Sequence, residues 1–162
     1  MVVTQVSAQS MTNNGVICAE TESKFRVKSP YFPAFAKRAR DLGGTFIRES
    51  SEWIFDIRES SQVRKALVEN YGTDGVEVPS TDVLIDLDKF PWSGSIYAAF
   101  GRVVAQRSSR DSRVIIGDGV IIESGGFPSS GGSVKNPAVA ERSGTILRIH
   151  DVPLVWAHRF HA

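Results

Sequence analysis

The first regular pattern of apolar and polar residues begins at Lys24. Residues 24 to 28, KFRVK, alternate basic and apolar side chains, so Phe25 and Val27 share one face of a strand and the basic residues share the other. Apolar residues then recur at helical spacing from Phe35 to Leu42, after two prolines and before two glycines. This order predicts a strand followed by a helix.

The next segment predicts a hairpin and a second helix. Residues 45 to 48 and 53 to 57 have strand-like composition and are separated by polar turn formers. Residues 63 to 71 carry apolar side chains at helical spacing, and Gly72 closes the pattern. Residues 24 to 72 are therefore predicted to form a βαββα module, with a three-stranded sheet and both helices on one face.

The second half of the chain predicts strands almost exclusively. Residues 73 to 81 are rich in Gly, Asp, Pro and Ser and are predicted to be a linker. Short runs rich in Val and Ile then follow between turn residues, and Gly117, Asp118 and Gly119 favour a hairpin. Residues 82 to 162 are predicted to form a small antiparallel all-β, barrel-like module, which makes the fold class α+β.

Residues 1 to 23 are polar, carry their first charge at Glu20 and show no sustained period. We expect a mostly disordered lead-in, although a short strand near residues 16 to 18 fits as well.

Composition excludes several classes of protein. The chain has 162 residues, 19 Lys and Arg against 18 Asp and Glu, and a formal charge of +1, so it is neither a large multi-module enzyme nor a polycation. The single cysteine, Cys18, forms no internal disulfide, and no Cys and His set has zinc spacing. No basic residue precedes an apolar leader and no apolar run approaches about 20 residues. We expect a cytoplasmic protein without a membrane span.

The local charge of residues 24 to 65 fits either a nucleic-acid-binding surface or an internally paired one. Residues 24 to 65 hold ten Lys or Arg and five acids, and such clusters bind phosphates by releasing counterions. The predicted phosphate-binding residues are Lys24, Arg26, Lys28, Lys37, Arg38 and Arg40, with Arg107 and Arg110 extending the track. An internally paired surface is the alternative, because Glu52 and Asp56 alternate onto the face of the basic strand.

Two aromatic residues near turns or prolines, Tyr31 and Trp92, are candidates for base stacking, whereas Trp53 and Phe55 fit a core pattern. Signals for catalysis are weak. His150 beside Asp151 fits a turn better than a catalytic pair, and the Gly/Ser loop at residues 124 to 137 lacks nucleotide-binding spacing. We predict no catalytic residue, metal or cofactor, and we expect the loop to be mobile.

The segment from Lys24 to about residue 68 resembles the HARP domain, the HepA-related protein domain that accompanies annealing helicases. The residues that carry the resemblance are Phe25 and Val27 in the first strand, Tyr31 before the helix, and Trp53 and Phe55 in the last strand. It is also similar to modules of plasmid primases in which a helix ending in Leu-Gly precedes a Trp strand. The resemblance implies a βαββα fold, a role with nucleic acid and an origin in a bacterial mobile element.

Two hypotheses follow. The first is a non-enzymatic accessory protein of a mobile element that binds DNA or RNA through its basic clusters. The alternative is an inhibitor or adapter that binds a host defence or conjugation protein through the second module and its Gly/Ser loop. Exposed sheet edges also make a homodimer plausible.

Overall fold

The computed structural model describes residues 8–157, in which eleven strands form three antiparallel sheets. The strands are β1 (Ser10–Thr12), β2 (Ile17–Glu20), β3 (Lys24–Lys28), β4 (Thr45–Ile47), β5 (Glu52–Asp56), β6 (Val78–Asp86), β7 (Ile96–Ala99), β8 (Arg102–Gln106), β9 (Ile115–Ile116), β10 (Val120–Ser124) and β11 (Ile146–Pro153). The helices are α1 (Pro33–Asp41), α2 (Ser60–Tyr71) and α3 (Leu154–Ala157), with a single 3-10 turn (Ile57–Glu59) leading into α2. The strand orders are β2-β3-β5-β4, β1-β6-β11-β10 and β7-β8-β9.

The predicted fold class is wrong. Within the described residues the protein is mostly β, its three helices are short, and none of the three sheets closes into a barrel. The sheet under α1 and α2 has four strands instead of three, because β2 adds to the edge of β3 with Ile17 opposite Lys28. β2 agrees with the short strand that the sequence allows near residues 16 to 18, although its exposed or half-buried side chains show no buried face that would define its extent.

The described part of the polar lead-in is also structured. β1 pairs with β6 across a large separation in sequence, placing Ser10 opposite Ser80. β6 itself begins at Val78, inside the segment predicted to be a linker. Backbone hydrogen bonds hold these polar segments in place, and such pairing depends little on side-chain pattern.

One core lies between the four-stranded sheet and the two longer helices. The alternation predicted for β3 is confirmed, since Phe25 and Val27 are fully buried while the basic residues of the strand are exposed. The buried members are Val16, Phe25, Val27, Phe35, Ala36, Ala39, Trp53, Phe55, Val63, Ala66, Leu67 and Tyr71. Because helix and inner-strand residues belong to one cluster, α1 and α2 cover the same face and leave the other face of the sheet open.

A second core lies between the other two sheets. Its buried members are Val83, Ile85, Leu87, Tyr97, Phe100, Val104, Ala105, Val139, Leu147, Ile149, Val152 and Ala157. The predicted hairpin around Gly117, Asp118 and Gly119 does not form, because β9 pairs with β8 whereas β10 pairs with β11. The turn therefore crosses from one sheet to another. Gly117 allows this crossing, since a Cβ there would overlap the Val103 carbonyl oxygen.

Asn14 connects the two cores. Its Nδ2 donates hydrogen bonds to the carbonyl oxygens of Tyr71 (2.9 Å) and Phe100 (2.7 Å), which belong to different cores. Its Oδ1 accepts a hydrogen bond from Nη2 of Arg102 at 3.1 Å. The residue is buried and has a left-handed backbone, with φ of 51°, a conformation that asparagine tolerates better than most residues.

Cys18 is held in its protonated form. Burial raises the pKa of the thiol to about 11, although Arg64 acts in the opposite direction, and Sγ donates a hydrogen bond to the Asp74 carbonyl. At pH 8 the thiolate fraction should be about 100-fold lower than for a thiol with the usual value. We expect iodoacetamide to modify native Cys18 at least tenfold more slowly than the unfolded chain, as measured by mass spectrometry. Equal rates would show that the thiol is exposed.

Among residues 8–157, no helix is both long enough and apolar enough to cross a bilayer.

Candidate functional site: an aromatic cleft beside helix α1

A cleft of about 600 Å³ lies between the start of α1, the β4–β5 hairpin and the end of α2. We call it the aromatic cleft, and its aromatic lining consists of Tyr31, Phe32, Phe35, Phe46, Trp53 and Tyr71. Arg40 lines it from α1, one helical turn after Ala36. Such a volume is within the range of about 300 to 1,000 Å³ typical of ligand sites.

Contacts between the surrounding elements hold the cleft open. The hydroxyl of Tyr71 donates a 2.7 Å hydrogen bond to the Pro30 carbonyl, which fixes the segment that carries Tyr31. Gly44 lets the chain turn closely from α1 into β4, because a Cβ there would lie 2.5 Å from a ring carbon of Phe55. The cleft is therefore preformed by the fold.

The floor of the cleft is buried and its rim is exposed. Trp53 forms part of the floor and is 8% exposed, whereas the rim residues Tyr31 and Phe46 are 61% and 46% exposed. The ring centroids of Phe46 and Trp53 are 5.3 Å apart, and Cζ of Arg40 lies 5.8 Å from the centroid of Trp53. Among the described residues that line it there is no carboxylate. A cation above an aromatic floor, without an acid nearby, favours an electron-rich planar ligand or an anion.

The structure does not bring the six predicted basic residues of the first module together. Lys24, Arg26 and Lys28 lie on the open face of the sheet, whereas α1 covers the opposite face. Within β3 and β5, Arg26 forms a 2.7 Å ion pair with Glu52, which is one part of the predicted internal pairing. Lys37, Arg38 and Arg40 are exposed on α1 and form no ion pair with any residue in 8–157. The basic residues thus belong to two surfaces, and among these six residues it is Arg40 that lines the aromatic cleft.

The prediction that Arg107 contacts phosphate is wrong. Its side chain is 1% exposed and donates four hydrogen bonds to backbone carbonyls. The acceptors are Ala138 (2.7 Å), Ser112 (2.6 Å), Pro128 (2.9 Å) and Val139 (2.8 Å). The sequence places Arg107 beside a serine-rich turn and gives no sign that it is buried. Arg110 is exposed and pairs with its neighbour Asp111 at 2.9 Å.

Arg107 also holds the Gly/Ser loop in place through hydrogen bonds. Three of its four acceptors lie in or just after residues 124 to 137, and the Gly131 amide donates to the Arg110 carbonyl. The Gly/Ser loop, for which the sequence predicts mobility, is therefore anchored to the second core.

The two predicted stacking residues lie in different environments. Tyr31 lines the aromatic cleft, whereas Trp92 is half-buried and packs beside Tyr97 with ring centroids 5.3 Å apart. Sequence reasoning missed Phe46 and assigned Trp53 to the core alone. The signal for Phe46 is its position on an edge strand, where a residue on the inner face is only partly covered.

His150 and Asp151, for which the sequence favours a turn over a catalytic pair, both lie in strand β11. Nδ1 of His150 lies 2.8 Å from Oδ2 of Asp82 on the neighbouring strand, and Asp151 accepts a hydrogen bond from Ser10 instead. In the part of the chain that the structure describes, no group of three or more His, Cys, Asp or Glu side chains is placed to hold a metal ion.

Comparison with protein-family models, curated proteins and solved structures finds no match for this chain. The resemblance to the HARP domain stays a prediction from a few residues, and function has to be argued from the cleft itself.

Proposed function

We propose that the protein binds single-stranded nucleic acid through the aromatic cleft, as a non-enzymatic accessory protein. One observation carries the proposal, namely that Arg40 lies over the ring of Trp53 in an aromatic cleft with no carboxylate in its described lining. Bases stack on aromatic side chains, and arginine adds both a cation–π contact and a partner for phosphate.

The exposed rim favours a single strand over a duplex. Tyr31 and Phe46 present ring surface to solvent at the mouth of the cleft. A base reaches such rings only when its own faces are free, whereas the faces of bases in a duplex are covered by their neighbours. Stacking of this kind depends little on base identity, so the aromatic cleft by itself should accept any base.

Charge near the cleft supports binding of moderate strength. Lys37, Arg38 and Arg40 are exposed on α1, and of these three Arg40 lines the cleft. Contacts to one to three phosphates would give a log-log salt slope of about −0.7 to −2.1 for a single strand. The association with a mobile element and the homodimer stay predictions from the sequence.

Replacement of Phe46 tests the proposal directly. We expect Phe46→Ala to weaken binding of a fluorescein-labelled thymidine 12-mer about tenfold, because one stacked base contributes about 1 to 3 kcal/mol. Fluorescence anisotropy at about 50 and 200 mM salt measures the affinity, and Arg40→Gln should make the salt slope shallower by about 0.7. The protein must first be treated with nuclease to remove bound nucleic acid.

Phe90→Ala is the matched control, because Phe90 is 43% exposed but does not line the cleft. It should leave the affinity unchanged. Absence of salt-sensitive binding at 50 mM would contradict the proposal, and capture of one stoichiometric protein partner that Phe46→Ala abolishes would favour the inhibitor or adapter hypothesis instead.

A further inference from the structure

A second cleft of about 600 Å³ adjoins the aromatic cleft at Tyr31, which together with Pro30 lines both. We call it the polar cleft, and the side chains that matter here are those of Arg102, Gln106, Ile115, Asp118 and His150. If one base of a single-stranded nucleic acid occupied the aromatic cleft, the next nucleotide of that nucleic acid would reach the polar cleft across the ring of Tyr31.

Arg102 presents unused hydrogen-bond donors to the polar cleft. Its Nη2 donates to Oδ1 of Asn14 at 3.1 Å and to the Asp151 carbonyl at 3.2 Å, which fixes the guanidinium in place. Within residues 8–157, Nε and Nη1 of Arg102 have no hydrogen-bond partner. Burial lowers the pKa of Arg102, and a desolvated guanidinium gains more from each further acceptor than an exposed one does.

Asp118 supplies acceptors in the same cleft. It lies in the turn between β9 and β10, is exposed, and forms no hydrogen bond or ion pair through its carboxylate with any described residue. The turn is close to the arginine, since a Cβ on the adjacent Gly119 would lie 3.0 Å from Nη1 of Arg102. A carboxylate and a guanidinium thus face one cleft without being paired to each other.

Taken with the proposed function, on which this inference rests, the geometry points to a guanine-reading site in the polar cleft. Guanine offers the acceptors O6 and N7 to a guanidinium, and its N1–H and N2–H₂ groups are donors that match the two oxygens of a carboxylate. Ile115 and Tyr31 provide apolar surface for the faces of the base. A phosphate fits less well, because two acidic residues, Asp118 and Asp151, line this cleft.

The test compares three labelled 9-mers, one of thymidine alone, one with a single central guanine and one with inosine at that position. We expect the wild-type protein to bind the guanine strand about tenfold more tightly than the thymidine strand, as one well-placed base contact allows. Inosine lacks the N2 amino group, so the inosine strand should bind less tightly than the guanine strand but more tightly than the thymidine strand. Asp118→Ala should bring the ratio of the guanine and thymidine affinities close to one.

Asp111→Ala is the matched control, because it also removes one exposed carboxylate but lies outside both clefts, and it should keep the wild-type ratio. A wild-type ratio near one, or a preference that Asp118→Ala retains, would overturn the guanine site while leaving the proposed function in place if Phe46→Ala still weakens thymidine binding. Failure of all three strands to bind would overturn both.

Discussion

Arg107→Ala should lower the free energy of unfolding by about 3 to 5 kcal/mol, because it leaves one buried and three partly buried carbonyl oxygens without this donor, at a cost of up to about 1 to 3 kcal/mol each. Arg107 is 1% exposed, and its guanidinium donates to four carbonyls. The carbonyls belong to Ser112, Pro128, Ala138 and Val139, so one side chain holds several separate pieces of backbone together.

Urea denaturation followed by intrinsic fluorescence measures the change, and thermal melting should show a midpoint lower by about 10 °C. Arg107→Lys should be intermediate, because an ammonium has three donors and lacks the planar fork that reaches four acceptors. Arg110→Ala is the control, since that side chain is exposed and pairs only with Asp111 among residues 8–157; its unfolding midpoint should match the wild type.

Loss of Arg107 should also expose the Gly/Ser loop to protease. Three of the four carbonyls lie in or just after residues 124 to 137, and limited proteolysis should cut there in Arg107→Ala long before it cuts the wild type. Wild-type stability together with an uncut loop would show that the buried guanidinium is not what anchors this segment.

Asn14→Ala is expected to lower the free energy of unfolding by about 2 to 4 kcal/mol. The substitution leaves the carbonyls of Tyr71 and Phe100 without their shared donor, and the left-handed φ of 51° is less favourable for alanine than for asparagine. The affected carbonyls belong to different cores. Unfolding of the first core and unfolding of the second core should therefore no longer coincide in the denaturation curve.

Other substitutions of Asn14 distinguish the loss of its hydrogen bonds from the strain of its left-handed backbone. Asn14→Gly removes the side chain but tolerates the backbone conformation, so it should cost less than Asn14→Ala. Asn14→Asp keeps the shape but cannot donate to the two carbonyls, although its carboxylate still accepts from Arg102. Asn13→Ala is the control, because Oδ1 of Asn13 only accepts from the Gly15 amide at an exposed position. Equal stability of Asn14→Ala and Asn13→Ala would contradict the role assigned to Asn14.

Sequence pattern was informative wherever the side chains of an element divide between a buried and an exposed face. The alternation in β3 identified Phe25 and Val27 as core residues, and helical spacing located Ala66 and Leu67 on the buried side of α2. The pattern failed for the polar strand β1, which pairs with the distant strand β6, and it allowed only a short strand where β2 pairs with the adjacent β3. The sequence pattern also failed at the turn that carries Asp118. Turn residues there do not show whether the two flanking strands, β9 and β10, pair with each other or with other strands.

For the candidate site, too, some features can be read from the sequence and others only from the fold. The sequence alone shows that Tyr31 stands near prolines outside an apolar stripe and that basic residues occur in the segment that forms α1. The folded structure is needed to see that Phe46 and Trp53 join Tyr31 in one cleft, that Arg107 is buried and that Arg102 and Asp118 line a common cleft. Local periodicity reports whether a side chain is buried, whereas the partners of a polar or aromatic side chain are set by contacts between segments far apart in the chain.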